Sequence, residues 1–282
     1  MNEFGGTWTE KKIDILVEYA KAYLDIMKSK TYWELLYFDG FAGSGIIFKD
    51  NMIDIQVTIG AARRIVEIEK PRSFDTYYFV EKVKKNAEML KHFTQDKFPD
   101  KKIFVIKEDC NKKLHDMAKY LRSDKGRKTK VLAYIDPCGM QLEWASIEVL
   151  NTLGIDMWVL VPTGLGVNRL LNKNGHISAG WITRLVKFLG MSEEEIKKYF
   201  YFTESEATLF GEEVHASKVK NAIEKSAILY RDRLNEIFPY VTLPFVLRNT
   251  KGTIMYYLYL ASNNKTAAKI GNDIIKKFNR IN

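Results

Sequence analysis

The sequence predicts an α/β fold with a mostly parallel central sheet, and three observations predict it. Residues 35–38, Leu-Leu-Tyr-Phe, form a continuous apolar run that passes straight into Asp39 and a small-residue turn ending at Gly45. Parallel strands read this way because helices cover both of their faces. The pattern then recurs. Aromatic and β-branched runs within 75–83, 101–110 and 130–139 end in Glu81, Asp109 and Asp136, and a further run fills 155–164. Amphipathic helical stretches separate them, at 84–93 and 111–121, which is the alternation of βαβ units. The acids therefore fall on one expected edge, the carboxyl edge where open α/β sheets take ligands.

Taken in order, residues 9–28 give an amphipathic helix, with Ile13, Leu16, Val17, Ala20, Tyr23, Leu24 and Met27 at helical spacing. The turn after the first strand carries Gly40, Phe41, Ala42, Gly43, Ser44 and Gly45, so backbone can approach a ligand with few Cβ atoms in the way. The next helix arrives late, near 58–69, with Thr58 or Gly60 at its start. Glu81 consequently lies well beyond the ~20 residues that separate turn and acid in a compact dinucleotide fold. A carboxylate at Glu81 suits two ribose hydroxyls, and a surface pairing with Lys82 or Lys84 is the plainer alternative. Asp109, followed by Cys110 and Asn111, is also a natural helix N-cap.

Residues 165–240 read as a helical insertion, with good helices at 192–200 and 215–238, the first capped by Ser192. Two closing strands are expected at 241–250 and 254–262, followed by a helix at 264–281. The implied organisation is 1–164 for the N-terminal helix and ligand-binding part, 165–240 for substrate recognition, and 241–282 to complete the core.

Composition narrows the class. Two cysteines in 282 residues make neither a disulfide framework nor a metal cluster, so a reducing, cytoplasmic setting is expected. Four histidines, His92, His115, His176 and His215, have no metal-ligand spacing, so no metal site is expected. No apolar stretch reaches the ~18 residues of a membrane span, and the N-terminus lacks a signal-peptide core. Lysine and arginine number 44 against 35 acids, a net +9, which fits a nucleic-acid partner or simply a lysine-rich surface. The basic segments 91–102 and 121–130 lie in loops before strands, on the edge opposite the acids.

These motifs carry a family resemblance. Strand–Asp-Gly-Phe-Ala-Gly-Ser-Gly, acids after the second and third strands and Asp-Pro after the fourth resemble a class I S-adenosylmethionine-dependent methyltransferase. More narrowly, WTEKKIDILVEYAKAY, YFDGFAGSG, EDCNKKL, YIDPCG and YYLYLASNNKTAAKI resemble the three-Cys-motif partner proteins. The likeness covers most of the chain and is strongest over 31–164. It implies a Rossmann-like, seven-stranded sheet with a closing antiparallel strand. It implies S-adenosylmethionine held by Asp39, Gly40, Phe41, Ala42, Gly43, Ser44, Gly45, Glu81, Asp109, Cys110 and Asp136, with Asp109 on the adenine amino group.

Asp136, Pro137 and Cys138 are the catalytic candidates by the same resemblance. In amino-directed methyltransferases an acid here accepts the target amino hydrogen, and an aromatic stacks on a base taken out of its helix. This chain keeps Asp-Pro and lacks the second proline and the aromatic, so Trp144 or Phe41 is the candidate platform. Cys138 opens a rival chemistry, since pyrimidine carbon-5 methyltransferases use a Pro-Cys here as nucleophile. Asn168 and Arg169, beyond the fifth strand, are candidate substrate contacts, Arg169 toward phosphate. The expected activity is methylation of a base nitrogen in DNA or RNA. A small-molecule or protein methyltransferase, or a cofactor-binding partner subunit acting with a companion protein, stays open.

Overall fold

The computed structural model describes residues 7–44, 46–47, 58–208 and 211–280. Helix α1 (Thr7–Met27) buries the predicted stripe, including Ile13, Leu16, Ala20 and Leu24. Strand β1 (Glu34–Asp39) follows. A two-residue pair, β2 (Ile46–Ile47) with β3 (Thr58–Ile59), then leads into α2 (Ala61–Val66), whose N-cap is Gly60. Next come β4 (Thr76–Val80), α3 (Lys84–Lys97), β5 (Ile103–Ile106), α4 (Cys110–Arg122), β6 (Thr129–Ile135), α5 (Trp144–Glu148) and β7 (Ile155–Val161). A π-turn, Thr163–Val167, opens onto α6 (Asn168–Leu170), α7 (Ala179–Leu189) and α8 (Glu193–Phe200). The chain ends with β8 (Tyr201–Thr208), β9 (Gly211–Lys218), α9 (Ala222–Ile237), β10 (Tyr240–Val241), β11 (Phe245–Arg248), β12 (Ile254–Ser262) and α10 (Lys265–Arg280).

The main sheet runs β10-β12-β7-β6-β1-β4-β5, with β11 also paired to β12. The strands from β5 to β7 are parallel, and β12 returns antiparallel to β7. This is the doubly wound, Rossmann-like order, reversing direction between β1 and β6, and a ligand crevice opens at such a reversal. Helices cover both faces. Alternate residues of β1 divide between two cores, Leu36 and Phe38 in one, Leu35 and Tyr37 in the other.

α1 crosses one face from the carboxyl edge to the opposite edge. Near its start Lys12 reaches Asp136 after β6, and further along Tyr19 donates to Asp156 at the amino end of β7 at 2.9 Å.

The structure departs from the sequence expectations in two places. The stretch 201–218 is an antiparallel hairpin, Tyr201 opposite Lys218, and not helix, so the expected helix at 215 starts at Ala222. The strand expected over 241–250 is broken at Pro244 into β10 and β11, which gives an eight-stranded sheet where seven strands were expected. Proline lacks the N–H that continued pairing requires.

Candidate functional site at the carboxyl edge

Asp39 closes β1 almost fully buried, at 2% exposure, and its Oδ1 accepts the Phe41 N–H at 3.1 Å. The turn is then stitched to its neighbours. Gly40 N–H donates to the Tyr134 carbonyl at 2.9 Å, and Ala42 N–H to that of Val80 at 3.0 Å. Gly43 takes φ +63°, a left-handed conformation that favours glycine. Its N–H donates to Glu81 Oε2 at 2.9 Å, while Val83 N–H donates to Oε1 at 2.7 Å. The carboxylate of Glu81 thus braces the glycine turn from the neighbouring strand, and each oxygen retains a second acceptor site.

Asp109 caps α4 by accepting the Asn111 N–H at 2.9 Å, and Lys82 donates to its other oxygen at 2.9 Å. Partial burial pushes this carboxyl up, but the Lys82 and Asn111 hydrogen bonds outweigh it and hold it below the usual range. Asn111 also joins two loops. Its Nδ2 donates to the Gln141 carbonyl at 2.9 Å, and its Oδ1 accepts the Glu143 N–H at 2.8 Å.

Asp136 follows β6 with its side chain 19% exposed. Its Oδ2 receives both the Lys12 ammonium at 2.5 Å and the Tyr134 hydroxyl at 3.0 Å. Lys12 is itself buried. Burial pushes Asp39 up to about 8; the Phe41 amide opposes this, Asp136 adds to it, Lys12 opposes it and Glu81 adds to it. Four carboxyl groups, of Asp39, Glu81, Asp109 and Asp136, and two ammonium groups, of Lys12 and Lys82, therefore share this edge, an excess of acid that favours a cationic guest.

Several expected contacts do not fall where they were expected. Cys110 is buried beneath the turn, where a Cβ on Gly40 would come within 2.5 Å of its Sγ, so its thiol packs into the core and does not face the edge. Trp144 is no platform for a base. It is 2% exposed, its Nε1 donates to Glu148 at 2.7 Å, and Arg233 stacks 4.5 Å from its ring. Gly190 closes over the same ring, at φ +63° and with no room for a Cβ. The oxygens of Asn168 are occupied by Lys218, whose Nζ lies 3.1 Å from both, whereas Arg169 is exposed beside it on α6.

The remaining candidates lie at the edge itself. Pro137 is buried, and Phe41, Ala42 and Ser44 are half-buried on the turn. Gly45 lies outside the described residues. Cys138 is exposed, yet the protein packed around its thiol and the Asp136 carboxylate raise it above the usual range, against the pull of Lys12. A nucleophilic thiolate needs the opposite shift. Among the described residues, no group of three or more His, Cys, Asp or Glu side chains is placed to hold a metal.

Lys12, Tyr134 and Asn111 escaped the sequence reading. Lys12 lies on the buried stripe of α1, and a lysine at a core position is a signal in itself, because buried lysines are rarely unpaired.

No family model matches the chain, and no curated protein matches it. Among solved structures it is similar to protein LPL1258 of Legionella pneumophila, at 15% identity over 90% of this chain and 97% of that one, with a TM-score of 0.40. It is similar to Trm1 of Pyrococcus horikoshii, solved in complex with S-adenosyl-L-methionine, at 11% identity over 97% and 76% of the two chains, TM-score 0.38. A third is an S-adenosylmethionine-dependent methyltransferase of Clostridium acetobutylicum, at 8% identity over 88% and 92%, TM-score 0.35. These likenesses are too distant to carry an activity, and the fold stands on the strand order itself.

Proposed function

We propose that the protein is an S-adenosylmethionine-dependent methyltransferase acting on a nitrogen of a nucleic-acid base. The observation that carries this reading is the meeting, at one sheet edge, of a glycine turn with Asp39, Glu81, Asp109 and Asp136, each at the end of its own strand. On sequence motifs we place it, as a cytoplasmic protein, with the three-Cys-motif partner family.

The residues fit the cofactor. Bound S-adenosylmethionine supplies an electrophilic methyl group on a cationic sulfur. Gly40 and Gly43 keep the turn thin, and Glu81 has acceptor sites left for the two ribose hydroxyls. Asp109 offers an acceptor for an amino group at the adenine position. Asp39 and Asp136 supply negative charge for the cationic end, in surroundings where charge is weakly screened.

Asp136 is the group we assign to the target. Oδ2 is taken by Lys12 and Tyr134, which fixes the carboxylate plane and leaves Oδ1 for the substrate. A hydrogen bond from the target N–H to Oδ1 aims the nitrogen lone pair along the transfer line, where alignment supplies much of the rate. The proton shed from nitrogen then has an acceptor in contact. The raised Cys138 thiol argues against carbon-5 transfer through a cysteine adduct.

Two measurements test this. Calorimetry should show S-adenosylmethionine binding that Asp39→Ala abolishes. A labelled-methyl screen over DNA, RNA and protein should show transfer to nucleic acid that Asp136→Ala removes. No binding at millimolar cofactor would sink the cofactor assignment; transfer undiminished in Asp136→Ala would sink the catalytic one.

A further inference from the structure

The amino edge of the sheet, opposite the acids, holds a cavity of about 340 Å³ that the proposed reaction does not use. Its floor is a row of aromatic rings across three adjacent strands. Phe38 on β1, Tyr78 on β4 and Phe104 on β5 are register partners. Phe38 and Tyr78 stack at 5.9 Å with planes 9° apart, and Phe104 lies 6.1 Å beyond Tyr78. The row ends in the open, since Phe104 is 42% exposed, and Tyr120 of α4, also lining the cavity, is 41% exposed.

The rest of the lining is mixed in charge. Glu34 supplies an acceptor and Lys102 a donor, while Lys113 and Asp116 are paired with each other at 2.9 Å. That combination suits a flat, neutral ring with both donors and acceptors on its rim. Beside the cavity basic residues outnumber acids: between Tyr120 and Thr129 stand Arg122, Lys125, Arg127 and Lys128 against Asp124 alone. Exposed Lys119 and Lys128 adjoin the lining residues Tyr120 and Thr129 in sequence, exposed Lys125 lies between them, and exposed Lys102 is itself part of the lining. Aromatic platforms set between basic flanks are how proteins hold single strands, with bases on the rings and phosphates on the lysines.

We propose that this cavity takes an unpaired base of a single-stranded nucleic acid, whose phosphates follow the flanking lysines. Glu34 in its lining is about 17 Å along β1 from Asp39, at ~3.3 Å per residue, and Phe38 closes its inner end. The site is separate from the methyl-transfer site and stands without that reading.

Fluorescence anisotropy with labelled single-stranded oligonucleotides of about 15 nucleotides, DNA and RNA, at about 100 mM salt tests it. The full chain should bind, and Phe104→Ala with Tyr120→Ala should weaken binding roughly 5- to 100-fold. Both side chains are about two-fifths exposed and outside the buried core, so circular dichroism should be unchanged. Asp39→Ala should bind the oligonucleotide as the parent does, which keeps failure here distinct from failure of the cofactor assignment. A duplex or a mononucleotide binding as tightly as the single strand would overturn the proposal. So would no binding at about 100 μM protein, or an effect of the double variant below about twofold. Self-association that Phe104→Ala abolishes would assign the face to a second copy of this chain and overturn it equally.

Discussion

Asp39 is an acid held almost fully buried at the end of β1. Its carboxyl is pushed up to about 8, chiefly by burial, so the folded chain holds a proton that the unfolded chain releases near the ordinary ~3.9. Stability linked to this group is therefore greatest below about pH 4 and declines as pH rises toward 8. Asp39→Asn should remove that decline. The variant should melt higher than the parent at pH 8 by about 2–4 °C or more, each kcal/mol being worth about that much, and the gain should vanish near pH 4. The same sign governs the cofactor. A cationic guest favours the ionised carboxylate, so affinity for S-adenosylmethionine should rise from pH 6 to 8, with proton release at neutral pH seen by calorimetry in buffers of differing ionisation enthalpy. Lys12 carries the complementary prediction. Lys12→Met leaves Asp136 without its cation and should cost roughly 2–4 kcal/mol in denaturant unfolding, with part recovered when Asp136→Asn is added. Asp39 and Glu81 were legible in the sequence because a strand-ending acid has a local signature. Lys12 was not, because its partner lies 124 residues away. Cys110 and Trp144 were misplaced because a run of letters does not say which way a side chain turns after the strand ends.

At the scale of elements, the glycine turn separates two kinds of constraint. Gly43 needs its conformation and not its space: φ is +63° and a Cβ there would meet nothing within 4 Å. Gly40 needs its space, since a Cβ would stand 2.5 Å from the Cys110 sulfur and 3.0 Å from Ile135. Gly43→Ala should cost about 1 kcal/mol of backbone strain. Gly40→Ala should cost about 1–3 kcal/mol by overpacking and should be partly rescued by Cys110→Ala, whereas Gly43→Ala should not. Urea unfolding of six proteins, the parent, the three single variants and the two doubles with Cys110→Ala, closes both cycles. The parallel strands were legible because burial on both faces demands continuous apolar runs. The strands β8 and β9 were not, because their letters, YFTESEAT and GEEVHASK, hold few apolar residues and no apolar–polar alternation that would mark a strand. Pro244 divided a strand that apolar content alone would have kept whole.

Over the whole molecule, the sheet sorts charge. Its carboxyl edge gathers Asp39, Glu81, Asp109 and Asp136, while the basic segments expected in loops before strands are in part helical, 91–97 ending α3 and 121–122 ending α4, with only the remainder of each leading into the amino edge, in a chain of net charge +9. A cationic cofactor and a polyanionic strand would then be drawn to opposite ends of the same strands, so the two should be separable by mutation. Replacing Lys125 and Lys128 together with alanine should weaken nucleic-acid binding about equally for all sequences. The slope of log affinity against log salt should fall by about 1 for each phosphate that is no longer neutralised. Affinity for S-adenosylmethionine should stay unchanged in the same protein, because the altered charges lie a strand length from Asp39 and beyond the ~8–10 Å screening distance at physiological salt. An unchanged salt slope would place the phosphates elsewhere, whereas a parallel loss of cofactor affinity would mean that the two ends of the sheet are coupled through the fold.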